Sequence, residues 1–243
     1  MEWTGSGIVL AVRPHGETSA IVELLTEAQG RHAGLVRGGR SRATRPLLQP
    51  GNVLRATWRA RLEDHLGNLA IEGEHLRAGD FMDDPLALSG LNAACALACA
   101  ALPEREPHPE VFAAFHVFLD ALQDPDLWPA LYVRWEAGLL ADLGYGIDLR
   151  RCAVTGVSDG LTHVSPRSGR AVCAAEAEPY KDKLLALPGF LRDSQAGVEA
   201  GDIANGLALT GYFLQRRVLW PTDRDLPESR ERMIQRLKDA ERL

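Results

Sequence analysis

Between Ala28 and Leu62 there is not one Asp or Glu, in a chain whose formal net charge is −6. Lysine is also missing, with none in the first 80 residues. The same acid-free window holds eight arginines: Arg31, Arg37, Arg40, Arg42, Arg45, Arg55, Arg59 and Arg61. An ordinary solubilising face mixes both signs, so this composition favours an anion-binding face for a polyanion over a bland solvated surface. A metal-dependent nuclease needs clustered carboxylates beside its basic surface, and this window offers none. No apolar run approaches membrane-spanning length. The first residues, MEWTGSG, lack the basic and apolar regions of a signal peptide. The expected location is therefore the cytoplasm. Four cysteines, at 95, 99, 152 and 173, are too few for a secreted disulfide framework in a chain of 243 residues. G-x-x-x-x-G-K-[ST] and H-E-x-x-H are absent, and Gly156-Val-Ser-Asp-Gly160 has the bare G-x-S-x-G spacing without the strand-to-helix pattern of a nucleophile elbow, so the chain is read as a non-enzyme. Aromatics are scarce at the front, where residues 1–80 contain only Trp3 and Trp58. A single-strand binder that stacks bases displays several rings, so the expected mode is backbone-led and salt-sensitive, with weak stacking from His32 and the arginine planes.

The arginine segment also has a pattern. From Val53 to Leu62 the chain alternates with the period of two that a strand imposes. Leu54, Ala56, Trp58, Ala60 and Leu62 fall on an inner face, with Val53, Arg55, Thr57, Arg59 and Arg61 on the outer one. A row of guanidinium forks about 7 Å apart can track a phosphate backbone. Strands are expected at 7–14, 19–27, 31–39, 53–62 and 68–76, punctuated by Gly16, Gly30, Gly38-Gly39, Pro50-Gly51 and Gly67. Five short antiparallel strands predict a small closed barrel of the OB type, an SH3-like barrel being the alternative.

After Phe81 the apolar period lengthens to that of helices, expected at 86–101, 109–123, 128–144, near 180–187, 199–219 and 227–242. The expected organisation is a nucleic-acid-binding barrel over 1–80 and a mainly helical domain over 81–243. Cys95 and Cys99 lie one turn apart on a helix of small residues, and His116 lies among phenylalanines; packing accounts for all three.

Residues 147–178 interrupt the helices. Cys152-Ala-Val-Thr155 and Cys173-Ala-Ala-Glu176 have the frame of two C-x2-C pairs with half the ligands replaced. Tetrahedral zinc must be enclosed by four ligands, and Thr155 supplies no thiolate. His163, or Asp159, could in principle join Cys152, Cys173 and Glu176. The reading adopted is a degenerate zinc knuckle that keeps its hairpin and holds no metal, so no cofactor is expected.

Three blocks then resemble the bacterial recombination mediator RecO family. The first is GIVLAVRPHGETSAIVELLTEAQGRHAGLVRGGRSRATRPLLQPG. The second is YVRWEAGLLADLGYGIDLRRCAVTG running into SPRSGRAVC, and the third is SRERM at 229–233. The resemblance implies an N-terminal OB-fold, a helical C-terminal domain and a zinc knuckle that some members have lost. It implies a DNA-binding mediator in repair that anneals complementary strands and helps RecA load onto single-stranded DNA coated with the single-stranded-DNA-binding protein (SSB). The implied partners are single- and double-stranded DNA, RecR and the SSB C-terminal tail. For that tail, Arg134 is the expected cation, with Leu131 and Gly138 beside it and Trp135 turned to the core. An RNA-binding or ribosome-associated module remains the alternative from the residues themselves, since arginine contacts to a backbone do not read the 2′-OH.

Overall fold

A computed structural model describes residues 1–193 and 195–243. The chain divides into two compact units, Met1–Gln123 with Pro227–Met233, and Asp124–Leu226 with Ile234–Leu243.

The first unit is built on five strands: β1 (Glu2–His15), β2 (Ser19–Thr26), β3 (Gly30–Val36), β4 (Val53–Arg59) and β5 (Asn68–His75). Their order is β1-β2-β3-β5-β4, and β4 returns to β1 to close the ring. The expectation that all five strands pair antiparallel is corrected here. The sheet is mixed, because β3 and β5 run parallel, and they are in register at the single pair Leu35 and Asn68. The turn between β4 and β5 brings Asn68 opposite Arg59, so β5 pairs fully with β4 and only touches β3. Inside the ring, Val9, Val22, Leu24, Val36, Leu54 and Trp58 pack as the core.

Helices α1 (Pro85–Ala101) and α2 (Pro109–Ala121) belong to this same unit. Asp84 caps α1 by accepting from the N–H groups of Leu86 and Ala87. Ala87, Ala93, Ala94 and Ala98 are fully buried, and Cys95 Sγ lies 3.9 Å from the Val9 carbonyl. Small side chains thus let α1 approach β1 closely. Burial pushes the Cys99 thiol up to about 12, and Cys95 higher still, as packing residues rather than nucleophiles. His116 stands edge-on to Phe112, 4.7 Å between centroids, and burial lowers its pKa.

The second unit holds α3 (Trp128–Asp142), a three-stranded sheet in the order β7-β6-β8, α4 (Ala174–Ala177) and α5 (Asp202–Phe213). The strands are β6 (Leu161–Val164), β7 (Ala171–Cys173) and β8 (Leu185–Ala186). A helix expected near 180–187 is instead a short 3-10 segment, Glu178–Lys183, followed by β8. Strand β8 adds to β6 through His163 and Val164, which a local helical pattern does not reveal. The helix expected over 199–219 is α5 followed by a π-helical segment, Leu214–Leu219. Helix α6 (Glu228–Asp239) contributes residues to both units. No helix among the described residues is long and apolar enough to cross a membrane.

Candidate nucleic-acid interface

The segment joining β3 to β4 carries the densest part of the arginine window and is a built structure. Ser41 Oγ accepts from the Thr44 N–H at 3.1 Å, and Arg45 N–H donates to the Ser41 carbonyl at 3.0 Å, giving a single helical turn. Beneath it lies Asn52, which is 1% exposed. Its Nδ2 donates to the carbonyls of Pro46 (3.0 Å) and Leu47 (3.1 Å), while its Oδ1 accepts from Ala78 N–H at 2.9 Å. One buried amide therefore ties the loop to the segment after β5. Gly51 has φ +85, and a Cβ there would lie 2.8 Å from a methyl carbon of Leu91, so only glycine lets the loop return against α1.

Arg37, Arg40, Arg42 and Arg45 are all exposed on this loop. Arg37 donates to Asn68 Oδ1 at 3.2 Å, and Arg40 donates to the carbonyls of Gly16 and Glu17 at 2.9 and 3.0 Å. Arg42 and Arg45 form no ion pair among the described residues. Arg40, Arg42 and Arg45 edge a groove of about 1070 Å³ whose lining contains no carboxylate. Leu76, Met82 and Leu91 line it as well, and Met82 is 73% exposed. Neither Asn52 nor this apolar lining stood out in the sequence. A lone Asn beside Pro-Gly reads as ordinary turn chemistry.

Four of the expected DNA contacts stand in different surroundings. Arg31 is 8% exposed, with Nη1 2.7 Å from Glu23 and Nε donating to the Leu102 carbonyl at 2.9 Å. It holds β2, β3 and the end of α1 together, and it is corrected from a contact to a structural residue. The β4 row keeps its expected alternation at Leu54, Ala56 and Trp58, which are buried, and at Arg55 and Arg59, which are exposed. Val53, however, is buried, and the strand ends at Arg59, so that Leu62 is 52% exposed rather than in the core. Arg61 follows the strand and is exposed.

The row is acid-free in sequence but not in space. Arg59 pairs with Glu2 at 2.7 Å, and Arg55 lies in register with Glu72 of β5 and Ser6 of β1. Ser6 in turn donates to Glu74 at 2.6 Å. Cross-strand neighbours share a face, so these carboxylates offset the positive field of the row. His32, the expected weak stacking residue, is 4% exposed and wedged edge-on between Trp3 and Trp58. Burial lowers its pKa.

The cysteine frame at 152–176 is corrected too. Cys152 and Cys173 are buried, and Cys173 N–H donates to Cys152 Sγ at 3.4 Å. Thr155 Oγ1 lies 3.8 Å from Cys173 Sγ, occupying the position a ligand would take. Glu176 is in the first turn of α4, and His163 Nδ1 is engaged with Thr162 Oγ1 at 2.9 Å. Among the described residues no group of three or more His, Cys, Asp or Glu is placed to hold a metal. The residues do not fit an enclosed zinc site. Burial alone would raise the Cys152 thiol, but hydrogen bonds from the Thr155 hydroxyl and the backbone at Thr155, Cys173 and Val154 bring it down to about 6. Metal analysis of the purified chain is expected to give well under one zinc per chain, with the melting curve unmoved by a chelator. Stoichiometric zinc would make Cys152 and Cys173 ligands after all.

Arg134, the expected cation for a partner's acidic tail, donates from Nη2 to the Phe190 carbonyl at 2.8 Å and lies 5.9 Å from the Phe190 ring. Trp135 is buried, Leu131 partly so, and Gly138 is exposed with open space above its Cα.

Two family models match the chain: the recombination protein O N-terminal region over residues 1–73 and the C-terminal region over 82–225. Among similar proteins, the DNA repair protein RecO of Phenylobacterium zucineum is 56% identical over 243 residues, covering all of both chains. The RecO of Rhodospirillum centenum is 51% identical, over 99% of this chain and 96% of that one. That of Caulobacter vibrioides is 49% identical over the whole of both.

Proposed function

From the premise that this chain belongs to the recombination protein O (RecO) family, we propose that it binds DNA chiefly through the arginine loop between β3 and β4. The protein is a DNA repair and recombination mediator and not an enzyme. Its partners as a family member are DNA, RecR and SSB. The relatives named above are DNA repair proteins, which favours DNA over the RNA-binding alternative.

The observation that carries the loop assignment is the pair Arg42 and Arg45, which have no counter-ion among the described residues, at the edge of a groove whose described lining has no carboxylate. Guanidinium forks whose donors are free can take phosphate oxygens two at a time. The anchored loop holds them in place before DNA arrives, which lowers the entropy lost on binding. Phosphate contacts fix position without reading sequence, as suits a mediator acting on any gap. In this reading the protein works in the cytoplasm at the nucleoid, anneals complementary strands and helps RecA load on SSB-coated DNA. The SSB tail is assigned to Arg134, supported by the open space at Gly138 one turn along α3.

Salt titration of single-stranded DNA binding tests the electrostatic mode. With four loop arginines engaged, log K against log[salt] is expected to fall with a slope of about −3. A slope near zero would overturn it.

A further inference from the structure

A second cationic cluster lies in the other unit, and the DNA-binding loop does not use it. Arg167, Arg216 and Arg217 line a cavity of about 400 Å³ together with Pro166, Tyr212 and Phe213. We propose that this cluster is a second contact for single-stranded nucleic acid, its arginines holding a phosphate and Trp220 stacking a base.

The arginines are preorganised. Arg216 Nη1 donates to the Tyr212 hydroxyl at 2.8 Å. Its guanidinium lies over two rings, 5.4 Å from the Tyr212 centroid and 5.3 Å from that of Trp220. Arg217 lies 4.4 Å over Phe213, and its Nη1 donates to the Tyr145 carbonyl at 3.4 Å. The turn at Gly169 is shaped around it: φ is +72, and a Cβ would meet Arg217 Nη2 at 2.7 Å. Arg167 extends from that same turn and is exposed. None of the three forms an ion pair among the described residues. Two acids of this unit are engaged elsewhere: Asp148 with Arg150 and Arg170, and Asp225 with Gln215 and Trp220.

The backbone gives an independent indication. Arg216 and Arg217 sit on the π-helical segment Leu214–Leu219, a conformation less stable than the α-helix and frequent at functional sites. Trp220 follows directly and is 51% exposed, whereas Trp58, Trp128 and Trp135 are buried. Its Nε1 donates to Asp225 at 3.3 Å, which fixes the plane of the ring. A fixed, exposed indole beside unpaired guanidinium groups matches a nucleotide, which pairs a flat π-face with a phosphate. An acidic peptide with an aliphatic tip needs an enclosed apolar socket instead. Here Phe213, the buried ring of the cavity wall, is already covered by Arg217.

The test uses the full chain carrying Arg40→Ala, Arg42→Ala and Arg45→Ala, which silences the loop. Titration with an unlabelled oligothymidylate is expected to quench tryptophan fluorescence, and Trp220→Phe should abolish the quench. Adding Arg216→Gln and Arg217→Gln should weaken residual binding of a labelled oligothymidylate at least fivefold. Arg167→Ala, at an exposed position, should weaken it in the same direction if the double variant fails to fold. A quench by an acidic peptide but not by the oligonucleotide would overturn the proposal in favour of a peptide site. No quench by either, or no loss of affinity in a folded variant, would overturn it outright. Because the loop is already disabled, such a failure leaves the loop assignment standing.

Discussion

Replacing Arg40, Arg42 and Arg45 together with Ala is expected to weaken binding of an unstructured single-stranded oligonucleotide about a hundredfold. That loss corresponds to about 2.7 kcal/mol. Three charge-assisted contacts to phosphate are removed, and none of the three side chains is buried, so the fold should survive. The salt slope should become shallower by about 2 units, at roughly 0.7 per single-strand phosphate contact. The loss should be the same for unrelated sequences, because backbone contacts carry no base information. The matching triple replacement at Arg55, Arg59 and Arg61 should cost less than about threefold. There Glu2 already neutralises Arg59, and Glu72 and Glu74 share the face. Fluorescence anisotropy across a salt series separates the two triples. Equal losses from both would return the interface to the β4 row.

Asn52→Leu is expected to be the most damaging single change in the first unit while altering no charge. The substitution keeps the side-chain volume approximately but removes three hydrogen bonds in one step. It leaves the carbonyls of Pro46 and Leu47 and the N–H of Ala78 without their partner in a part-buried place. Each unsatisfied buried group costs about 1–3 kcal/mol, so a loss of about 3 kcal/mol or more is expected. Chemical denaturation should read it as a shifted midpoint. The arginine loop would lose its anchor, and DNA affinity should fall at least fivefold at temperatures where the protein is still folded, through lost preorganisation. A destabilised variant with unchanged DNA affinity would show that loop position is set by Ser41, Thr44 and Gly51 alone.

Much of the molecule was legible from the chain alone because it depends on neighbours in sequence. Alternation placed Leu54, Ala56 and Trp58 inside, where they are. The run of small residues announced a closely packed α1, and the helices expected from 86, 109 and 128 begin at Pro85, Pro109 and Trp128. Thr155 and Glu176 showed that the cysteine frame had lost half its ligands. Part of the arginine window falls on the loop between β3 and β4, where Arg42 and Arg45 form no ion pair among the described residues.

What the tertiary structure decided is which of those arginines is free. Glu23 reaches Arg31 from the neighbouring strand β2, and Glu2 reaches Arg59 from the start of the neighbouring strand β1. Arg217 sits against Gly169, nearly fifty residues earlier in the chain. An arginine's availability is set by the carboxylates and carbonyls within a few ångströms. Strand pairing brings those groups from distant positions, so no window of sequence contains them. Local sequence settled where the positive charge is; the pairing of β1, β2 and β5 around it settled which charge can meet a phosphate.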